Sequence, residues 1–336
     1  MTARLNSLSL GAESYQAKGT WTASFSHRWQ YSDRHFVGDD EQEYRQKEGS
    51  EVINNIHLID LGVGYALSKR VNLTLSVPFQ FATRSQAVRD PTAPPNQFGN
   101  RPVIDRFQTS ADGLGDIRLL SSVWLLDPDK NKKQNASVGL GVLFPTGEKD
   151  HKDTFTVFAT NAAGMYAPRA EVRNVDNSIQ PGAGAWGIIL DFYGFVEPVE
   201  NLTAYAACTY VMVPQTDAGV KSGSLSSPTV WSTGDSYLAR AGLSYQILPK
   251  KGLWLSFGVR AEGSPPSDVI GSDEGRRRPG YAISVEPGIT YARNDWFASF
   301  SAPVAVYRNR QSNFEGESGD AAFADFITLF SVGHRF

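Results

Sequence analysis

The stretch Ala322-Phe323-Ala324-Asp325-Phe326-Ile327-Thr328-Leu329-Phe330-Ser331-Val332-Gly333-His334-Arg335-Phe336 sets the reading of the whole chain. Ala322, Ala324, Phe326, Thr328, Phe330 and Val332 recur at every second position, and Phe336 is the final residue. Phe323, Asp325, Ile327, Leu329, Ser331 and Gly333 stand between them as a mixed set. A period of two is that of an extended strand with one apolar face. One such strand suits an ordinary sheet as well as a barrel, so repetition of the pattern is the test.

The pattern repeats. Trp21, Ala23, Phe25, His27, Trp29 and Tyr31 alternate with Thr22, Ser24, Ser26, Arg28 and Gln30. Ile59 to Leu67 and Val71 to Phe81 follow, with only Ser68-Lys69-Arg70 between them. Further alternating runs are Asp116–Leu125, Ala136–Phe144, Trp186–Val196, Leu202–Met212, Tyr237–Ile247, Leu253–Ala261, Tyr281–Tyr291 and Trp296–Val306. The count is about twelve strands, each near the 9–11 residues that cross a bilayer at a tilt. The connections alternate in length. Short ones fall at 68–70, 127–135, 197–201, 248–252 and 293–295; long ones at 37–51, 82–112, 145–182, 214–232, 262–279 and 308–321. Both termini then lie at the short-turn end, the arrangement of an up-and-down transmembrane antiparallel β-barrel. Tyr65, Tyr245, Tyr291, Trp296 and Phe336 gather toward the short turns. Phe81, Phe144, Trp186, Tyr210, Tyr237 and Tyr281 gather toward the long loops, as two interfacial belts require.

Composition sets the outer bounds. At 336 residues the chain is long enough for two domains, but a barrel of this size is one. The sequence divides into a short amino-terminal segment, 1–18, and a barrel, 19–336. A net charge of −3 gives no sign of a nucleic-acid partner. No run approaches the ~20 apolar residues of a membrane helix, which excludes a helical membrane protein and leaves a barrel open. Cys208 is the single cysteine, so neither an intrachain disulfide nor a CxxC metal site is available. Met1–Leu10 lacks a basic start followed by an apolar core. For an exported protein the expectation is a mature form whose leader has been removed.

Parity places Arg28, Asp60, Asp116, Arg118, Asp191, Arg240, Arg260 and Glu286 on the inward face, with Glu262 near the outer rim. A basic residue on the lipid face at the midplane would cost about 2–4 kcal/mol, which fixes which face is which. The signs are mixed, so the lumen is either a pore with opposed charges or a set of paired ions bracing a closed barrel. Strand spacing and tilt give a backbone diameter of about 25 Å. A second inward group, Trp124, Tyr193, Phe195, Tyr205, Trp254 and Phe297, lies close to the short turns. It is expected to form an aromatic collar at the periplasmic mouth, either a greasy constriction or a packing of the barrel end. Simple register puts Pro78 opposite Asp60 and Pro287 diagonal to Pro303, marking bulges, kinks or a side opening.

The terminal strand ending on Phe336 resembles the closing strand of bacterial outer-membrane barrels, in which the final aromatic is read by the barrel assembly machinery. Gly113-Leu114-Gly115-Asp116 and Phe144-Pro145-Thr146-Gly147 lie at the ends of neighbouring strands. With the strand layout they resemble the outer-membrane family of the meta-cleavage pathway of phenol degradation. That resemblance covers most of the chain. It implies a monomeric barrel in the outer membrane, surrounded by lipid and lipopolysaccharide, that takes up aromatic or other small hydrophobic solutes. It supplies no catalytic residue and no cofactor. The acidic run Gly38–Glu43 and Glu315, Glu317 and Asp320 are solvated loop charge or divalent-ion sites toward lipopolysaccharide.

Other functions make different demands. A closed structural or adhesion barrel would lock Arg118, Arg240 and Arg260 to lumen carboxylates. A barrel lipase would need His and Ser two apart on the outer wall, and His27, His35, His57, His151 and His334 offer no such pair. HExxH and GxSxG are absent from the sequence. His35 and His151, beside Asp33, Asp150 and Asp153, leave loop proteolysis as an alternative. The reading is of a passive channel, not an enzyme.

Overall fold

Alternation along the chain closes into a cylinder because each strand can satisfy its backbone only through its neighbours. The computed structural model describes residues 15–336 except 98, 222–229, 272–273, 314–315 and 317–318. Its strands are β1 (Trp21–Val37), β2 (Asp40–Glu41), β3 (Ile53–Ala66), β4 (Val71–Arg89), β5 (Val103–Leu114), β6 (Arg118–Trp124), β7 (Gln134–Leu143), β8 (Lys152–Thr160) and β9 (Tyr166–Asn174). They continue as β10 (Gly187–Val199), β11 (Leu202–Met212), β12 (Ser236–Leu248), β13 (Leu253–Ser264), β14 (Gly280–Arg293), β15 (Trp296–Ser301), β16 (Val304–Asn309) and β17 (Asp320–Arg335). One short helix, α1 (Tyr44–Glu48), sits in the first long loop.

β5 and β6 run end to end beside β4, and β15 and β16 run end to end beside β14. Counting each such pair once, the wall has the expected twelve strands, every neighbour antiparallel, and β17 pairs with β1 to close it. The closing seam is tied to its last residue: Phe336 N–H donates to Trp21 O at 2.8 Å, and Trp21 N–H returns a bond to Phe336 O. An all-β barrel has no free edge to protect.

Polarity is inverted relative to a water-soluble fold. Leu140 and Phe257 are 62% and 61% exposed on the outer face, while Arg28, Arg260 and Glu286 are each 1% exposed inside. Trp21, Tyr65, Tyr245, Tyr291, Trp296 and Phe336 ring the short-turn end; Phe81, Phe144, Trp186, Tyr210, Tyr237 and Tyr281 ring the other. An apolar outer band between two aromatic girdles is what lipid demands of a barrel surface.

Several expected boundaries are corrected. Residues 82–89 and 103–112 are not loop: β4 and β5 continue there as a paired ladder, Phe79 to Arg89 against Leu114 to Val103. Above the membrane a hairpin needs no apolar face, so hydropathy is silent about it. For the same reason the expected loop 145–182 conceals the β8–β9 hairpin. The eleventh strand, expected as one run, breaks between Ser301 and Val304 at Pro303. Beyond that break β16 pairs with β17 only through Val304 and Phe326. Arginine side chains take over the carbonyls the ladder abandons: Arg308 Nε donates to Ala324 O at 3.2 Å and Arg310 Nη2 to Ala322 O at 2.7 Å. The expected register of the other prolines is found, with Pro78 opposite Asp60 and Ala302 N–H donating to Pro287 O.

Candidate functional site

Inside the wall the charged residues meet in a triad and in pairs. Arg28 on β1 donates from Nη2 to Glu262 Oε1 at 2.6 Å and from Nη1 to Oε2 at 3.1 Å. Arg260 donates to the same Glu262 Oε2 from Nε at 2.8 Å and Nη2 at 2.6 Å. Glu262 is on β13, and β14, β15/β16 and β17 lie between it and β1, so this triad is a chord across the bore. Arg240 on β12 reaches Glu286 on β14 at 3.4 Å, and Ser301 Oγ donates to the same carboxylate at 2.9 Å. Arg118 pairs with Asp60 across β4. Asp191, half-buried, accepts from Thr209 Oγ1 at 2.6 Å. All of these face inward. Buried atoms of the layer without a protein partner among the described residues include Arg28 Nε, Asp60 Oδ1, Arg260 Nη1 and Glu286 Oε2.

Asp116 also points inward, but its carboxylate is committed to backbone. Gly147 N–H donates to Oδ1 at 3.0 Å and Ala183 N–H to Oδ2 at 2.6 Å. Thr146 Oγ1 donates to Gly115 O at 2.9 Å and accepts from Ile117 N–H at 2.9 Å. The Gly-Leu-Gly-Asp and Pro-Thr-Gly segments therefore form one clasp. Glycine is required at its centre, because a Cβ on Gly182 would stand 2.2 Å from Gly147 O.

The clasp anchors a roof. Residues 175–185 fold into the extracellular mouth, where Val175 and Ile179 pack on the inward-facing Ile56, Ala82 and Ala111. Gln80 Nε2 donates to Ile179 O at 2.6 Å, and Thr233 Oγ1, from the next loop, to Ala183 O at 2.6 Å. Asp176 accepts both Arg278 Nη1 and Nη2, at 2.8 and 2.9 Å, and lies 3.5 Å from Arg84. Burial alone would raise the Asp176 carboxyl, but Arg278 and Arg84 hold it well below the usual carboxylate range.

At the other mouth the six collar residues do not make one ring. Trp124, Tyr193 and Phe195 meet with ring centroids 6.1 Å apart in each pairing. Tyr205 lies over Gly242 and Gly258, and Phe297 lies over Gly333 with Arg335 5.4 Å from its ring. Trp254 occupies a register position opposite Gln246 and Thr290. Tyr15, which the sequence offered no reason to select, completes the cluster. Its ring stands edge-on to Trp124 at 5.1 Å, and Asn135 Nδ2 donates to its hydroxyl at 3.0 Å. The amino-terminal segment therefore reaches the collar. Asp176, Gln180 and Arg310 belong to no repeating pattern in the sequence; the run Arg276-Arg277-Arg278 is a visible signal of a loop site.

The histidines take other partners. His35 Nδ1 is 3.2 Å from Asp320 and His151 Nδ1 is 2.7 Å from Glu148, while His27 and His57 stack on the outer wall. Among the described residues no cluster of three or more His, Cys, Asp or Glu side chains is placed to hold a metal ion. Glu315 and Glu317 lie outside the described residues.

These features define a transmembrane β-barrel of the bacterial outer-membrane class, embedded in lipid and roofed by its own loops. Among solved structures the chain is similar to an outer membrane channel from Pseudomonas putida F1, with TM-score 0.61 and 12% identity over 98% of this chain and 100% of that one. The CymD monoaromatic hydrocarbon channel follows at TM-score 0.49, 12% identity, 96% of this chain and 89% of that one. The P. putida toluene transporter TodX follows at 0.47, 11%, 96% and 91%. At these identities the likeness is one of fold, and it is the fold the sequence resemblance implied. No protein-family model and no curated protein matches the chain.

Proposed function

We propose that the chain is a passive outer-membrane channel for small, aromatic or otherwise partly apolar solutes, working as a monomer without catalysis. The observation that carries this reading is the incomplete satisfaction of the charged layer in the lumen. A barrel that only needs filling is at least as stable with apolar side chains as with buried ion pairs. This one instead carries charged residues of which Arg28 Nε, Asp60 Oδ1, Arg260 Nη1 and Glu286 Oε2 lack protein partners among the described residues. Each such atom costs about 1–3 kcal/mol when kept from water, a cost that a hydrated passage removes. The Trp124, Tyr193 and Phe195 cluster supports a preference for flat solutes at the periplasmic end. The pairing of Phe336 with Trp21 at the closing seam supports insertion through the barrel assembly machinery, with β17 as the strand it reads.

One observation favours the second reading, a closed structural barrel. The pairs Arg118–Asp60, Arg240–Glu286 and Arg260–Glu262 are the locks that reading requires. Flux through the refolded protein in liposomes separates the two, comparing benzoate with a sugar of similar size against protein-free vesicles. Uptake of benzoate ahead of the sugar, weakened by Trp124→Ala with Trp254→Ala, is the expected result. Absence of flux for both solutes would leave the closed barrel.

A further inference from the structure

Above the ion layer, between the roof and the wall, lies a cavity of about 100 Å³ whose lining includes a cluster of cationic groups and an indole. Arg84 comes from β4, Arg277 and Arg278 from the β13–β14 loop, Trp231 from the β11–β12 loop, Arg310 from beyond β16, and Asp320 from the start of β17. The lining sets four guanidiniums against one carboxylate. Most of this charge is already paired. Asp176 serves Arg84 and Arg278, Asp268 serves Arg277 at 2.9 Å, and Asp320 serves Arg45 and His35.

Arg310 is different. Its Nη2 is spent on the carbonyl of Ala322, its guanidinium carbon lies 3.6 Å from the Phe323 ring centroid, and its Nε is buried without a partner among the described residues. No carboxylate forms a salt bridge with it among the described residues. Burial, reinforced by the charge of Arg278, pulls the Arg310 guanidinium below its ordinary value against the opposing pull of Asp320. Trp231 supplies the second, independent observation. It is 4% exposed, Arg276 and Arg278 stand over its ring at 5.3 and 4.9 Å, and its Nε1–H is buried with no acceptor among the described residues. An indole N–H is only a donor, and a guanidinium is only a donor. Arg310 and Trp231 line one cavity whose charged lining is predominantly positive, and each keeps a donor without an acceptor among the described residues. The complement is a small acceptor-only anion, and guanidinium forks match planar carboxylates.

We propose that this vestibule is a binding site for a small organic carboxylate, held by Arg310 and the Trp231 N–H, with Arg84 and Arg278 supplying the surrounding positive field. It gives the channel reading its substrate class and rests on that reading for its place on a route. Binding itself does not depend on conduction.

Isothermal titration of the folded barrel in detergent with benzoate, benzyl alcohol and inorganic phosphate tests it. Benzoate should bind, and benzyl alcohol, which lacks the charge, should not. Arg310→Gln should weaken benzoate about tenfold, and Trp231→Phe, which removes one neutral donor, about three- to fivefold. Heat-modifiable migration on gels shows that each variant remains a folded barrel. Equal binding of benzoate and benzyl alcohol, tighter binding of phosphate, or an unchanged affinity in folded Arg310→Gln would overturn the assignment. Benzoate that binds but does not cross liposomes upholds the site and removes the channel. Benzoate that crosses without measurable binding does the reverse.

Discussion

Replacing Glu262 by Gln should open the bore and weaken the barrel together. Four hydrogen bonds from two guanidiniums converge on this carboxylate, and Arg28 and Arg260 are each 1% exposed. An amide oxygen accepts two of those bonds and carries no charge. Removing one partner of a buried ion pair costs about 3–5 kcal/mol, and the bonds that glutamine keeps place this case near 3. The two guanidiniums, no longer bridged, repel and retract toward their own strands. The chord across the bore is then lost. In planar bilayers the expected result is a several-fold rise in single-channel conductance, with a urea midpoint lowered to match. A double variant, Arg28→Met with Glu262→Met, separates the two effects, since apolar replacement of a buried pair commonly restores stability. Unchanged conductance in a destabilised Glu262→Gln barrel would refute the reasoning: the triad would brace the wall without being the constriction.

Gly182→Ala places a Cβ 2.2 Å from Gly147 O, so the roof should undock while the barrel persists. Proteolysis within 175–185 should accelerate about tenfold with heat-modifiable migration intact. Tyr15→Ala removes an edge-on contact with Trp124 and a hydrogen bond from Asn135, and should cost about 1 kcal/mol while raising benzoate flux. The Asp176 carboxyl, depressed by Arg278 and Arg84 against the effect of burial, contributes stability present above its unfolded value of 3.8 and lost as pH falls through the lower folded one. Protection of 175–185 from proteolysis should therefore persist at pH 5, fade only below about pH 4, and be absent at neutral pH in Asp176→Asn.

Period-two alternation made the wall legible, because lipid and lumen impose opposite demands on successive residues. Arg28, Asp60, Arg118, Arg240, Arg260 and Glu286 could be assigned to the inside by parity alone, and Pro78 could be placed opposite Asp60 by counting from one tight turn. What parity lacks is reach across the barrel. Arg28 and Glu262 are 234 residues apart and become neighbours only when the sheet closes. The roof was hidden for another reason. Val175, Ile179 and Gln180 carry no periodicity, and their burial depends on a clasp between Gly147 and Gly182 that local sequence does not announce. Tyr15 is an aromatic in a polar segment, and only its landing place beside Trp124 gives it meaning.

Three obstacles therefore stand in series: a roof held largely by hydrogen bonds, a lumen crossed by charge, and a mouth packed with rings. They do not resist all solutes equally. A sugar that parts Arg28 from Glu262 leaves buried charges uncompensated, while a carboxylate can take over a guanidinium as the native partner leaves it. The charged layer should thus discriminate by charge even before size matters. Glu262→Gln sharpens the contrast, because it leaves Arg28 and Arg260 without their carboxylate and retains the wall. Liposome flux of both solutes should rise in this variant, with the benzoate-to-sugar ratio widening as well. A ratio that falls while both fluxes rise would show that Glu262 merely occupies space, and the charge layer would then be a plug rather than a selective relay.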